Sequence, residues 1–271
     1  ISVTYYDPLS TLDELDALTT DKTRVIYLET PGSVTFEMQD IPAIAAWAQD
    51  RGLRTIVDNT WATGMYFKPL DHGIDISTHA ATKYMCGHSD GIAGAIVCNE
   101  ATAPLVEATR TQMGLAIPPD EAYQGLRGLR TMAVRLPVHW QNGLKLAHYL
   151  SGREEVTNVL HPAMEQDPGH AIWSRAFKGA SGLLSAVLRS DLSWAQVHAF
   201  LDSLKLYGLG YSWGGFESLC VLQDPTPFRT VSQWPRPGIG NGYVLRFHAG
   251  LEDADDLIAD IEQAFHALHK V

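Results

Sequence analysis

Lys83 stands in HAATKYMCGHSDGIAGAIVCN, residues 79–99, between a threonine and a tyrosine and just ahead of a glycine-rich turn. Its flanks read as the end of a buried strand, where a lysine is costly unless it is paired, neutral or chemically used. Asp58 closes the apolar run TIVD. An aspartate at that place either holds a ligand or caps the next turn. Arg246 interrupts YVLRF, an otherwise apolar strand. Its planar fork suits a carboxylate held by two parallel hydrogen bonds, whether from an acid of the protein in a buried salt bridge or from an amino-acid substrate. YSWGG, residues 211–215, sets Ser212 and Trp213 beside paired glycines. That pattern suits a loop lining a pocket and equally a packed turn around a core tryptophan.

These groups need a scaffold that gathers them. RVIYL (24–28), TIVD (55–58), IDISTHA (74–80) and GAIVC (94–98) predict four strands. Between the first two, Asp40 caps a helix, Pro42 sits in its first turn, Ile44, Ala45, Trp47 and Ala48 share one face, and Gly52 ends it. Strand, helix and strand at this spacing predict βαβ units and a mostly parallel sheet, an α/β fold. Ligands of such sheets bind outside the carboxyl ends of the strands, so Asp58 and Lys83 would share one rim. A carboxylate and a lysine there are a plain ion pair, or they are the two protein anchors of pyridoxal 5'-phosphate (PLP). In the second case the lysine joins the cofactor aldehyde and the acid keeps the pyridine nitrogen protonated. Thr82 would then offer its hydroxyl to the phosphate, and Gly87 and Gly91 would allow close backbone approach.

Residues 102–150 predict helix, broken at Pro118 and Pro119 and kinked at Gly125, Gly128 and Pro137. Strands are expected at 156–160, 182–188 and 243–247. Ser193 caps a helix reaching about Leu204, and 253–270 is an amphipathic helix. The expected organisation is a large domain over residues 1–129 and a smaller α+β domain over 130–271.

Composition removes several classes of function. With 31 acidic and 20 basic side chains the net charge is −11, and no basic cluster exists to meet nucleic acid or an anionic membrane. The most apolar runs, such as 92–97, are too short to span a bilayer. The opening ISVTYYDP lacks the features of a signal peptide. Three cysteines without a CxxC pattern argue against a disulfide framework or a zinc knuckle, and a cytoplasmic location is expected. His161 and His170 read as ordinary loop histidines, and no metal site is expected. No GxGxxG follows a first strand, which sets aside a nicotinamide-binding domain.

With those residues in view, the chain resembles the Cys/Met-metabolism family of PLP-dependent enzymes. The matching stretches are ETPGSVTFEMQDIPAI (29–44), VDNTWATGMYFKPLDHGIDIS (57–77), AATKYMCGHSDG (80–91), GLRTMAVRL (128–136), YSWGGFESL (211–219) and LRFHAGLEDADDLIADIEQAF (245–265). They run nearly end to end. The resemblance implies the fold type I (PLP-dependent transferase-like) architecture. It makes Lys83 the Schiff-base lysine, Asp58 the pyridine-nitrogen partner and Thr82 a phosphate ligand. Arg246 would hold the substrate carboxylate, Ser212 the lysine amine, and Trp213 would shape the substrate site. The implied activity is carbon–sulfur β-cleavage of a thioether amino acid, cystathionine, to homocysteine, pyruvate and ammonia, by a homotetramer of closely joined dimers. Cleavage at the γ-carbon, a cysteine desulfhydrase activity and a non-catalytic fragment are the alternatives.

The chain departs from the family pattern at three places. Ala80 stands where many relatives have serine. Ser33 stands where γ-acting relatives carry asparagine, which favours β-cleavage. Thr111 stands where a β-lyase carries tyrosine. The family's N-terminal portion, with its phosphate loop, ring-stacking tyrosine and partner-reaching tyrosine and arginine, does not align with these residues. The expectation is that they are part of a longer enzyme and that alone they bind the cofactor weakly.

Overall fold

The computed structural model describes residues 1–271. In chain order its elements are α1 (Leu12–Leu18), β1 (Val25–Glu29), α2 (Ile41–Asp50), β2 (Arg54–Asp58), α3 (Thr63–Tyr66), β3 (Ile76–His79), β4 (Ala95–Cys98), α4 (Ala103–Gln112), α5 (Pro119–Ser151), β5 (Val156–Leu160), α6 (His170–Ala176), β6 (Leu183–Leu188), α7 (Trp194–Ser203), β7 (Gly208–Leu209), β8 (Leu219–Gln223), β9 (Val244–His248) and α8 (Ala254–Leu268). They build two sheets. The first has order β1-β2-β3-β4, with β1, β2 and β3 parallel and β4 antiparallel to β3. The second has order β5-β6-β9-β8-β7 and is antiparallel except for the β7–β8 pair.

Local chemistry accounts for the first sheet. Asp40 caps α2 by accepting the Ala43 N–H at 3.4 Å, Pro42 fills the first turn, and Ile41, Ile44, Ala45, Trp47 and Ala48 are buried. That stripe covers the strands, where Leu28 and Val57 are fully enclosed. Burying each such side chain is worth about 2 kcal/mol. Parallel pairing places Glu29 of β1 level with Asp58 of β2, and both strands end on the same rim. The second sheet is covered by α7 and α8, whose inner faces enclose Leu245, Phe247 and the aromatic pair Phe200–Phe265 at 4.8 Å. All six residues of β6 are buried, as a strand covered on both faces requires.

One expectation changes. α5 runs unbroken over 33 residues through Gly125, Gly128 and Pro137. Gly128 serves contact instead: a Cβ there would lie 2.1 Å from Met85 O. The expected boundary between residues 129 and 130 falls inside this helix, and the first core draws on both sides of it, including Leu160, Phe177 and Leu183. Three further helices (α1, α3, α6) and strands β7 and β8 complete the fold beyond the elements predicted. Only α1 left a local signal, the capping box of Thr11 and Glu14.

Candidate active site

The rim at the carboxyl ends of β1, β2 and β3 carries the chemistry. Asp58 ends β2, and one of its oxygens, Oδ1, accepts the Thr60 N–H at 2.9 Å and the Thr60 hydroxyl at 2.5 Å. Its other oxygen has no protein donor, and Asp58 lines a cleft together with Glu29, Ser33, Thr60, Trp61, Ala80 and Trp213. Asp58 therefore caps a turn with one oxygen, while the other is available to a ligand.

Lys83 follows β3 by one turn. Its Nζ donates to Ser212 Oγ at 2.7 Å and sits 5.4 Å from the centre of the Trp213 ring. The lysine is half-buried, less enclosed than its flanks suggest. Partial burial, then the Arg246 charge, lower its pKa. No carboxylate pairs with it, so the ion-pair reading of Lys83 and Asp58 fails among the salt bridges of the chain. Trp213 joins the two groups, since it lines the Asp58 cleft and flanks the lysine amine.

Arg246 projects from the middle of β9 and is 2% exposed. It donates to Tyr211 O, and its guanidinium lies 4.7 Å from the centre of the Tyr211 ring. It forms no salt bridge with any acid of the chain. A buried guanidinium without an acid partner could receive a carboxylate, and burial lowers its pKa. The structural salt bridge is thus ruled out for this arginine.

Thr82 lies where expected, but its hydroxyl is engaged. It accepts the Ala93 N–H at 3.0 Å and donates to Ala93 O at 3.3 Å. Gly87 and Gly91 are glycines because protein packs on them: an added Cβ would meet the Arg135 guanidinium at 1.9 Å and Gln124 Oε1 at 2.3 Å. Sequence reasoning missed Glu29 and His79. Part of Glu29 stays open to solvent, yet crowding by surrounding protein, then the Asp58 charge, raise its carboxyl to about 7. His79 ends β3, accepts or donates at Ser77 Oγ at 3.0 Å, and is held neutral by burial against the pull of Asp58. The sequence signal for both was position alone, the last residue of a strand. His161 is fully buried, packed 6.1 Å from Trp61, with burial pushing its pKa down to about 4.

Comparison with known proteins places this geometry. The sequence profile of the Cys/Met metabolism PLP-dependent enzyme family matches residues 1–266. A relative from Rhizobium johnstonii is 48% identical over all of this chain and 68% of its own length. The Escherichia coli K12 cystathionine β-lyase MetC is 41% identical over 98% of this chain and 67% of its own. Among solved structures, the cystathionine γ-lyase of Lactobacillus plantarum complexed with L-serine superposes with a TM-score of 0.87 at 32% identity, over 98% of this chain and 69% of that one. The chain thus spans about two thirds of the length of these relatives. The residues present fit PLP: Asp58 lines the cleft with one oxygen lacking a protein donor, Trp213 of the same lining flanks the Lys83 amine, and the charge of the buried Arg246 acts on that amine. The chain belongs to the Cys/Met-metabolism family of PLP-dependent enzymes, and is a PLP-dependent carbon–sulfur lyase.

Proposed function

We propose that the chain performs the β-cleavage of L-cystathionine, which with one water gives homocysteine, pyruvate and ammonia. The observation that carries this reading is Arg246, buried and lacking any carboxylate partner beside the Lys83–Ser212 pair. It is a place for the α-carboxylate of an amino acid next to an amine able to move its α-proton. The named β-lyase among the relatives, and Ser33 in the cleft, favour the β- over the γ-carbon.

PLP, when bound, supplies an electron sink for the charge left at the substrate α-carbon. The side chains do the rest. Arg246 fixes the carboxylate and so the orientation of the Cα–H bond. Lys83 Nζ, free of any acid and of lowered pKa, takes that proton. Ser212 Oγ holds the amine between steps. Lys83 then returns a proton to the leaving sulfur. Asp58 would hold the pyridine nitrogen of the cofactor protonated, and the Thr82 hydroxyl, now on Ala93 O at 3.3 Å, would hold its phosphate. Product analysis tests the reading. Pyruvate from cystathionine supports it, and 2-oxobutyrate would transfer the chain to the γ-lyases.

The same reading carries self-association as a homotetramer and a cytoplasmic location. Ile96, Val97, Leu105, Met113, Leu115 and Ile117 leave apolar surface uncovered along β4, α4 and the segment that follows α4, which suits burial against another copy. The three cysteines are free thiols, as a reducing compartment favours. No helix is long and apolar enough to cross a membrane. Sedimentation of the full-length enzyme at four times the protomer mass is the expected result.

A further inference from the structure

We propose that His248, two residues beyond Arg246 on β9, is a positioning residue that fixes the 211–215 loop and thereby holds Ser212 on the Lys83 amine. The inference rests on the role given to Ser212 above. His248 is 1% exposed and is not one of the residues lining the cleft. Its Nε2 accepts the Gly214 N–H at 3.1 Å and lies 3.2 Å from Gly215 O. One ring nitrogen therefore ties down the turn that immediately follows Ser212 and Trp213.

The turn has little freedom of its own to keep that place. Gly214 has φ +85, and a Cβ on it would lie 2.9 Å from Lys83 Cα. Gly215 is equally close to the 87–91 turn, where an added Cβ would meet Ser89 Oγ at 2.0 Å. The loop thus rests on the lysine's own backbone, and the imidazole hydrogen-bonds it at Gly214. The ring is itself held, 5.9 Å from Tyr84 and 5.2 Å from His139 between ring centres. Tyr84 in turn lies 5.4 Å from Trp213. His139 is anchored through Nδ1 to Ala249 O at 2.9 Å. Burial, then His139, push the His248 pKa down to about 3, so the ring is neutral and its nitrogen stays available at any working pH.

Alternation along β9 explains why one strand does both tasks. Leu245 and Phe247 face the core under α7 and α8. Arg246 and His248 take the opposite face, where one meets the Tyr211 end of the loop and the other its Gly214 end. The loop is clamped at both ends by adjacent same-face residues of a single strand.

The test is a double-mutant cycle in the full-length holoenzyme. His248→Phe keeps ring volume and removes the nitrogen, and His248→Gln keeps a polar atom near the Nε2 position. Ser212→Ala removes the hydroxyl directly. The expected result is a fall in kcat on the order of 10- to 100-fold for His248→Phe with KM nearly unchanged, and recovery of most of it in His248→Gln. The double variant should be no slower than the slower single variant, because both act through one contact. A second readout uses cofactor-free protein: the pH dependence of Lys83 alkylation, followed by peptide mass. Ser212 Oγ accepts from the ammonium, so its loss lowers the lysine pKa, and His248→Phe should shift it the same way. Should the phenylalanine variant not fold, His248→Asn, too short to reach Gly214, takes its place. Losses that multiply in the double variant, or a folded His248→Phe with parental kcat and parental Lys83 titration, overturn the role of His248 alone. Ser212→Ala with unchanged kcat and unchanged titration overturns the Ser212 reading itself.

Discussion

The role proposed for Lys83 rests on what it lacks. No carboxylate pairs with it, its amine rests on a neutral hydroxyl at 2.7 Å, and partial burial with Arg246 nearby lowers its pKa. An amine so placed is a free base at lower pH than an exposed lysine. Replacing Lys83 with alanine should cost about 10³-fold or more in turnover, measured by pyruvate release. Arg246→Gln separates two effects. Loss of the carboxylate site should lower kcat/KM by about 3 kcal/mol, on the order of 100-fold. Loss of its positive charge removes one cause of the lowered Lys83 pKa, so the Lys83 titration should move to higher pH. A titration that stays in place would mean the arginine charge does not reach the amine.

At the scale of elements, close approach decides which residues are irreplaceable. Gly128 brings α5 onto the 85–86 backbone, where a Cβ would lie 2.1 Å from Met85 O and 2.3 Å from Cys86 O. Neither neighbour is a flexible side-chain tip, so Gly128→Ala should destabilise by about 3 kcal/mol, seen as a lowered denaturation midpoint. Gly32, whose nearest side chain would be 3.5 Å from an added Cβ, should tolerate alanine far better. The loop 31–37 also shows positive φ at Val34 and Phe36. It is braced by Glu37, which accepts from Arg229 at 2.9 Å and Arg236 at 2.8 Å, while Arg236 reaches Asp7 at 2.7 Å. Glu37→Gln leaves two arginines facing a neutral amide and should cost about 3 kcal/mol in unfolding free energy.

For the whole molecule, buried histidines govern the pH response. Burial holds His139 and His161 at about 4 and His248 at about 3. Each is neutral when folded and takes a proton when unfolded below the ordinary histidine pKa of about 6.5. Their stabilisation is complete above that pH and is lost as pH falls toward 4, where the unfolded chain binds more protons. Glu29, raised to about 7, acts in the opposite sense between its ordinary value and 7, and one such group does not offset three. Thermal unfolding should therefore show a Tm lower at pH 5 than at pH 7.5. A flat profile across that interval would mean that the histidines are not buried in solution as they are here.

Much of this protein was legible in one dimension. Strand and helix periods follow from side-chain geometry, so the βαβ order, the α2 cap at Asp40 and the amphipathic α8 were readable from local pattern. Lys83, Asp58 and Arg246 were singled out by residue types unexpected in their surroundings, and Ser212 by the family resemblance. β7 and β8 were not, because β8 is a strand by virtue of pairing with distant β9, and the two-residue β7 by pairing with β8. Tertiary structure alone decided that Arg246 has no acid beside it, that Thr82 is engaged by Ala93, and that Gly87 and Gly91 make room for Arg135 and Gln124. It likewise put His248 behind the 211–215 loop. A residue's type and period are local properties, whereas the absence of a partner or the atom blocking a Cβ depends on every segment that folds back against it.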